Sequence, residues 1–276
     1  LETTTCANDP TCLKGLSCLA RCKGGSMCST GCFAKYGSDN LDNLLSCTVE
    51  RNDCVHVPRE SNSGWKADTL ADLPRAPLQR FSPESLDGTW YKVMGLDSRY
   101  DCFDCQRNTF KIEAAKEGGG NELAMDVVFR IPRPTFPGYL QSNLKEHLKP
   151  SPKGDLATLQ SEGQMFGLTF WENWYVIGDS KAPAGGTDGS AKFGIPAVFA
   201  APNVADMKLI FYTGHTLQGS YQGAFLYSRS PKMSLDAMTQ AKTLITSAGL
   251  SPNDFCMVRN TCFLPADGTR SKDKKD

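Results

Sequence analysis

The sequence predicts a mainly β protein: an antiparallel barrel or sandwich, preceded by a small disulfide-rich helical unit and followed by one helix. Three observations carry that reading. Eight of the twelve cysteines crowd into the first 54 residues. Short apolar runs with period-2 alternation, separated by turn residues, fill 85–230. One helical stripe then follows, with Leu235, Met238, Ala241, Ile245 and Ala248 on a single face and Gly249 placed to end it.

The first unit spans 1–54. Cys18 and Cys22, and again Cys28 and Cys32, are four apart, so each pair shares a helix face. Two short antiparallel helices would set Cys18 against Cys32 and Cys22 against Cys28. Zinc would use the same residue type, but its ligand pairs favour other spacings, and no histidine precedes His56. Cys47 and Cys54 are expected to close a short loop. That leaves Cys6 and Cys12 to each other or to a segment before them. A unit this small cannot hold together on apolar burial, and bridges supply the difference.

Residues 55–84, with Pro58, Pro74, Pro77 and Pro83, read as a linker. The barrel and its packing helix should occupy 85–263, leaving 264–276 as a polar, disordered tail. Strands are expected at Thr89–Leu96, Thr109–Ala114, Leu123–Ile131, Ala157–Ser161, Met165–Phe170, Trp174–Ile177, Ala197–Ala200, Lys208–Thr213 and Ala224–Ser228. Tyr139–Leu148 reads as a short helix inside a proline-rich connection, and Lys181–Gly194 as a long Gly/Ala-rich loop.

Composition excludes several function classes. The chain of 276 residues balances 30 basic against 30 acidic side chains, which argues against a nucleic-acid partner. No apolar run approaches the ~20 residues of a membrane span. The chain begins at Leu1 without a leader, and so reads as processed or truncated. The even cysteine count implies an oxidising compartment, and no asparagine opens a glycosylation sequon. His56, His147 and His215 are scattered and read as surface residues rather than metal ligands. No nucleotide loop or hydrolase elbow is present. Cys102-Phe-Asp-Cys105 matches a redox motif only formally. It sits among strands, and Cys256 and Cys262 wait at the far end to bridge with it. Trp171-Glu172-Asn173-Trp174-Tyr175 is more suggestive: a carboxyl between indoles, with Tyr212, Tyr221 and Tyr227 on later strands, has its neutral form favoured.

Gly88-Thr-Trp90, with Arg229 at the end of the last strand, resembles the lipocalin signature in which an arginine covers the tryptophan. Together with Asp101-Cys-Phe-Asp-Cys-Gln106, Trp174-Tyr175, Phe211-Tyr212 and Gly223–Arg229, the chain is similar to the violaxanthin de-epoxidase family, in particular its related or like paralogues. The resemblance implies a lipocalin-type barrel in the chloroplast thylakoid lumen, peripheral to the membrane, taking the end ring of a xanthophyll such as violaxanthin. Acid-assisted epoxide opening would follow, reductive with ascorbate or a redox-neutral epoxide-to-allene isomerisation, with no metal and no nucleotide. Glu172, Tyr212 and Asp101 would then be catalytic, and Gln106, Trp174 and Tyr227 would bind substrate. The alternative is a non-catalytic carotenoid- or lipid-binding lipocalin, an accessory subunit of a photosynthetic membrane complex. The expected bridges are Cys18–Cys32, Cys22–Cys28, Cys47–Cys54, Cys105–Cys262 and Cys102–Cys256.

The chain also departs from that family. Glu172 replaces an aspartate, and Asn173 an acidic neighbour. Of the positions tied to a low-pH switch, Asp104 stays titratable, whereas Ser85, Gly163 and Gly219 do not. The family's glutamate-rich C-terminal helix is not found among these residues. With few titratable groups expected in the barrel, ligand binding should change little between about pH 7.5 and 5.

Overall fold

The computed structural model describes residues 2–23, 26–55, 73–78, 81–97, 100–115, 121–132, 138–151, 157–181, 205–216 and 219–264. The strand expected at 197–200, the 181–194 loop beyond Lys181, His56, most of the 55–84 linker and the tail from 265 lie outside them. Eight antiparallel strands form the barrel: β1 (Gly88–Gly95), β2 (Asp104–Ala114), β3 (Asn121–Pro132), β4 (Tyr139–Pro150), β5 (Thr158–Met165), β6 (Leu168–Asp179), β7 (Met207–Thr216) and β8 (Gly219–Ser228). Each pairs with the next, and β1 closes the ring by pairing with both β8 and β2. Barrel rather than sandwich is the outcome, and closure removes the edges an open sheet would expose.

Alternation places the side chains. In β3 the expected face of Leu123, Met125, Val127, Phe129 and Ile131 is buried inside the barrel. In β6 Trp174 and Val176 point inward, while Tyr175 and Ile177 join a separate outer core. The helix that follows the strands covers that outer core with Ala241, Leu244 and Ile245. It spans Leu235–Ser247, its N-cap Ser234 accepts from the Ala237 N–H, and Gly249 at φ +79° ends it.

Two expectations about strands fail. Tyr139–Pro150 is not helical but a full strand, because Leu144, Glu146 and Leu148 alternate inward between β3 and β5. Tertiary pairing overrides the local helix pattern. Met165–Phe170 is not one strand but the β5–β6 hairpin. Phe166 and Gly167 form its two-residue turn, both at positive φ, as the twist of a tight hairpin requires.

One barrel end is latched shut. Trp90 is fully buried and donates its Nε1–H to the Leu86 carbonyl at 2.7 Å. The Arg229 guanidinium lies 3.8 Å over the indole and donates to the Thr89 and Ser85 carbonyls. This is the arrangement the Gly-x-Trp and arginine pattern implied.

A gap between β1 and β2 is closed by the chain's end. The β1–β2 ladder stops at the Tyr91–Arg107 pair, and β1 then bulges after Lys92. A two-residue strand, β9 (Cys256–Met257), pairs with the end of β1. Beyond it the Arg259 carbonyl accepts from the Cys105 N–H, and the Asn260 side chain bonds Gln106 N and the Lys92 carbonyl. Cys102–Cys256 and Cys105–Cys262 lock that seam.

At the other end sit four helices, α1 (Glu2–Ala7), α2 (Pro10–Arg21), α3 (Ser26–Tyr36) and α4 (Asp39–Leu45), stapled by Cys6–Cys12, Cys18–Cys32 and Cys22–Cys28. They seat on the β5–β6 hairpin: Phe33 stacks on Phe166 at 4.4 Å, and the Glu50 carboxylate accepts from the Thr169 N–H and hydroxyl. The expected Cys47–Cys54 bridge is absent, and both thiols are free. Cys47 opens a π-helical turn (Ser46–Arg51), and its sulfur instead meets the Asn52 amide at 3.1 Å. Asp53 then turns the chain at positive φ, leaving Cys54 exposed.

Two outcomes follow. Alkylation of the native protein should label two thiols, Cys54 faster than half-buried Cys47, and peptide mapping should recover the five bridges above. Arg229→Ala should cost about 2 kcal/mol, from the lost cation–π contact and two carbonyl bonds, and lower Tm by about 4–8 °C. An unchanged Tm would remove the latch from the account of stability.

Candidate functional site

Between the latched end and the helical cap lies a cavity of about 230 Å³, lined by barrel residues and by Ser29, Thr30 and Phe33 of α3. Its walls are mostly aromatic, with Phe103, Phe129, Phe166, Phe170, Trp174, Phe225 and Tyr227 among them. Three carboxyls and one ammonium face this apolar space: Asp101, Glu146, Glu172 and Lys92.

Glu172 points inward from β6 beside Trp174. Its Oε2 accepts from Trp174 Nε1 at 2.6 Å, and its Oε1 from the Tyr221 hydroxyl at 2.9 Å. Burial pushes its carboxyl above the ordinary range, against the pull of those two donors and of Lys92. Trp171 is not the second indole wall the sequence suggested. It lies on the opposite face of β6 and stacks on His215 at 5.3 Å. Tyr221 supplies that wall. His215, expected at the surface, is buried in this stack, while His147 is exposed.

Asp101 sits in the β1–β2 connection, 1% exposed. Lys92 Nζ is 2.8 Å from its Oδ1, and Oδ2 accepts from the Asp97 N–H at 3.1 Å and the Tyr212 hydroxyl at 3.0 Å. Burial pushes this carboxyl up, and the ammonium pulls it back. Tyr212, expected among the catalytic residues, is Asp101's donor, and burial next to that charge raises its phenol well above the usual value. Two glycines make room for these pairs. A Cβ at Gly214 would collide with the Tyr221 ring, and one at Gly223 with the Tyr212 hydroxyl.

The remaining expected residues also line the cavity. Gln106 donates to the Asp101 and Phe103 carbonyls, so it props the connection carrying Asp101. Tyr227 forms the cavity floor against Phe225, and its hydroxyl accepts from Asn108 Nδ2 at 2.7 Å. The Asn108 Oδ1 is buried with no hydrogen-bond partner among the described residues. Asp104 is outside this group, held by Arg259 at 2.8 Å.

Glu146 escaped the sequence reading because its strand looked helical. It projects from β4 and accepts from Ser161 Oγ at 2.6 Å. Burial first, and the neighbouring charge of Glu172 second, raise its carboxyl from 4.5 to about 8. Lys92 was legible only from alternation, two residues after the inward Trp90. With three carboxyls raised, the expectation of a barrel poor in titratable groups is overturned.

A closed antiparallel barrel latched by Trp90 and Arg229, with an aromatic cavity opening at its other end, defines a lipocalin. The particular family follows from comparison: the family model described as the VDE lipocalin domain matches residues 1–260, and the chain belongs to that family. It is 26% identical to a violaxanthin de-epoxidase, chloroplastic, of Nicotiana tabacum, over 95% of this chain and 49% of that protein. It is 24% identical to the protein of the same name from Arabidopsis thaliana, over 95% and 51%. The chain thus spans about half the length of these relatives. Among solved structures, lobster apocrustacyanin A1 aligns over 64% of this chain and 78% of its own, with 13% identity and a TM-score of 0.41.

The raised Glu146 carboxyl has a thermodynamic consequence. The folded state holds a proton that the unfolded chain releases above about pH 4.5. This group's contribution is therefore most favourable below that value and is lost as pH rises toward about 8, at up to roughly 1.4 kcal/mol per pH unit. Glu146→Gln should be more stable than the parent by a few kcal/mol at about pH 8.5, with the difference nearly gone at about pH 5, in urea unfolding at both values. A pH-independent difference would show that Glu146 is not held protonated.

Proposed function

We propose that the barrel takes one end group of an epoxy-carotenoid, of the violaxanthin kind named in its relatives, and that Glu172 protonates the ring epoxide. The observation that carries this is a buried carboxyl, favoured in its neutral form, held by Trp174 and Tyr221 on the wall of an aromatic cavity. Epoxide opening needs a proton donor in a dry pocket, and the desolvated acid provides it. The proton goes to the epoxide oxygen, the C–O electron pair follows it, and positive charge grows on the ring carbon. Trp174, on the cavity wall, offers aromatic surface to that charge, while the Phe225 ring already carries the Lys92 ammonium 4.1 Å from its centroid. A ring hydroxyl would donate to the open Asn108 Oδ1 at the cavity floor.

The cavity suits one end of a long polyene, and the rest would leave past the helical cap. Such a pigment lives in lipid, so the protein is read as working at the thylakoid surface from the lumen of the chloroplast. Five disulfides among the described residues favour an oxidising space of that sort. No helix of the described residues is long and apolar enough to cross a membrane. Docking on a photosynthetic complex is compatible with this placement.

The test is violaxanthin in galactolipid micelles, followed by chromatography. Glu172→Gln should slow epoxide consumption by ~10²–10⁴-fold while leaving pigment binding nearly intact, because the amide keeps the shape but not the proton. Pigment bound tightly but never converted by the parent protein would make the barrel a carotenoid carrier instead.

A further inference from the structure

We propose that Asn108 is a specificity-determining residue, which with Tyr227 reads a free alcohol on the end ring and rejects a ring that is bare, oxidised to a ketone or esterified at that position. This rests on the reading of the cavity as the seat of a carotenoid end group, and deepens it. Strand alternation gives Asn108 its place. It stands on β2 between Gln106 and Phe110, all three buried. It lies opposite Trp90 of β1 and Val127 of β3, both members of the inner core. A leucine would fill such a position, so an amide there costs desolvation that packing does not return.

The amide's hydrogens are both spent. Nδ2 donates to the Tyr227 hydroxyl at 2.7 Å and meets the Met125 sulfur at 3.1 Å. The carbonyl is the atom left over. Asn108 is 3% exposed on the cavity lining, and its Oδ1 is buried with no hydrogen-bond partner among the described residues. A buried acceptor of this kind calls for a partner, and a ligand in the cavity can bring it a hydrogen.

Tyr227 supplies the complementary half. Its oxygen accepts from Asn108, so its own hydrogen is still to be given. Burial first, and the carboxyls of Glu146, Glu172 and Asp101 after it, raise the phenol well above its usual value, so that hydrogen stays on. Packing fixes where it points. The Tyr227 ring centroid is 4.8 Å from that of Phe225, 5.9 Å from Phe110 and 6.1 Å from Trp90. Trp90 is in turn held under Arg229, so the latch steadies the donor as well as closing the barrel.

One acceptor beside one donor matches a group that both gives and takes a hydrogen bond. An alcohol does both. A ketone or ester oxygen would take from Tyr227 but leave Oδ1 unpaired, and a bare ring would leave both groups unpaired. A site built to pair with a hydroxyl discriminates against the analogue lacking it far more strongly than an apolar pocket discriminates by one methylene. An alcohol across the ring from the polyene, seated on this floor, also points the chain at the helical cap. The floor therefore sets the orientation of the ring as well as its identity.

The experiment uses the full chain with four end-group probes: β-ionone and its ring-hydroxylated, ring-oxo and ring-acetoxy derivatives. Affinity is read from the quenching of tryptophan fluorescence. The parent protein should bind the alcohol at least ~10-fold more tightly than any of the other three. Asn108→Leu should bind the bare ring at least as well as the parent does, and hold the alcohol within ~3-fold of it. Cooperative thermal unfolding of Asn108→Leu shows that a changed preference is not lost folding. If that variant does not fold, the four affinities of the parent decide alone. Equal affinity of the parent for the alcohol and the bare ring overturns the role of Asn108, and so does an undiminished preference in Asn108→Leu. Either result leaves Glu172 as acid standing, because epoxide consumption tests that separately. A parent that binds none of the four probes overturns the end-group reading of the cavity, and this inference with it.

Discussion

Desolvation of charge inside an aromatic barrel is the constraint on which the rest of the structure turns. Three carboxyls and a lysine share a space whose walls offer few donors, and each group is settled by what β-strand alternation brings within reach. Asp101 receives an ammonium, a backbone N–H and a phenol. Glu172 receives an indole and a phenol, with no cation. Glu146 receives one hydroxyl. Burial favours the neutral acid in all three, and each set of donors opposes it differently.

That constraint explains the architecture around the site. Asp101 belongs to a connection rather than a strand, and a connection alone would not hold a buried ion pair in place. The chain's end is sewn into the seam beside it, with disulfides at Cys102 and Cys105, one and four residues after Asp101. Closing a loop with a sequence separation of 154 removes freedom from the unfolded chain, by as much as ~5 kcal/mol in the entropic account, and the neighbouring bridge then closes only a short ring beside it. The helical cap completes the other boundary, where Ser29, Thr30 and Phe33 line the cavity.

Much of this was legible. Met125, Val127 and Phe129 alternate so plainly that their strand and its inward face could be read directly, and helix-face spacing alone placed Cys18 against Cys32. Trp90 and Arg229 declared the latch. Other features were hidden for physical reasons. The β4 segment has a sequence compatible with a helix, and only its neighbours make it a strand, so Glu146 went unseen. Tyr212 and Tyr221 are both inward tyrosines, and which carboxyl each meets depends on barrel curvature rather than sequence spacing. The cap's share of the cavity was hidden by the linker that separates α3 from the barrel in the chain. Cys47 and Cys54 have the spacing of a bridge, but a π-helical turn directs one sulfur to an amide.

The barrel wall keeps two hydrophobic cores apart, one inside around the site and one outside beneath the terminal helix. The inner core is interrupted by a cavity and by charge, whereas the outer one is a cluster of buried apolar side chains. Substitutions that reshape the chemistry and substitutions that keep the protein folded therefore fall largely on opposite faces of the same strands. A lineage can rewrite the inner face residue by residue while the outer face holds the fold. Such a scaffold is well placed to yield paralogues that share an outline and differ in what they transform.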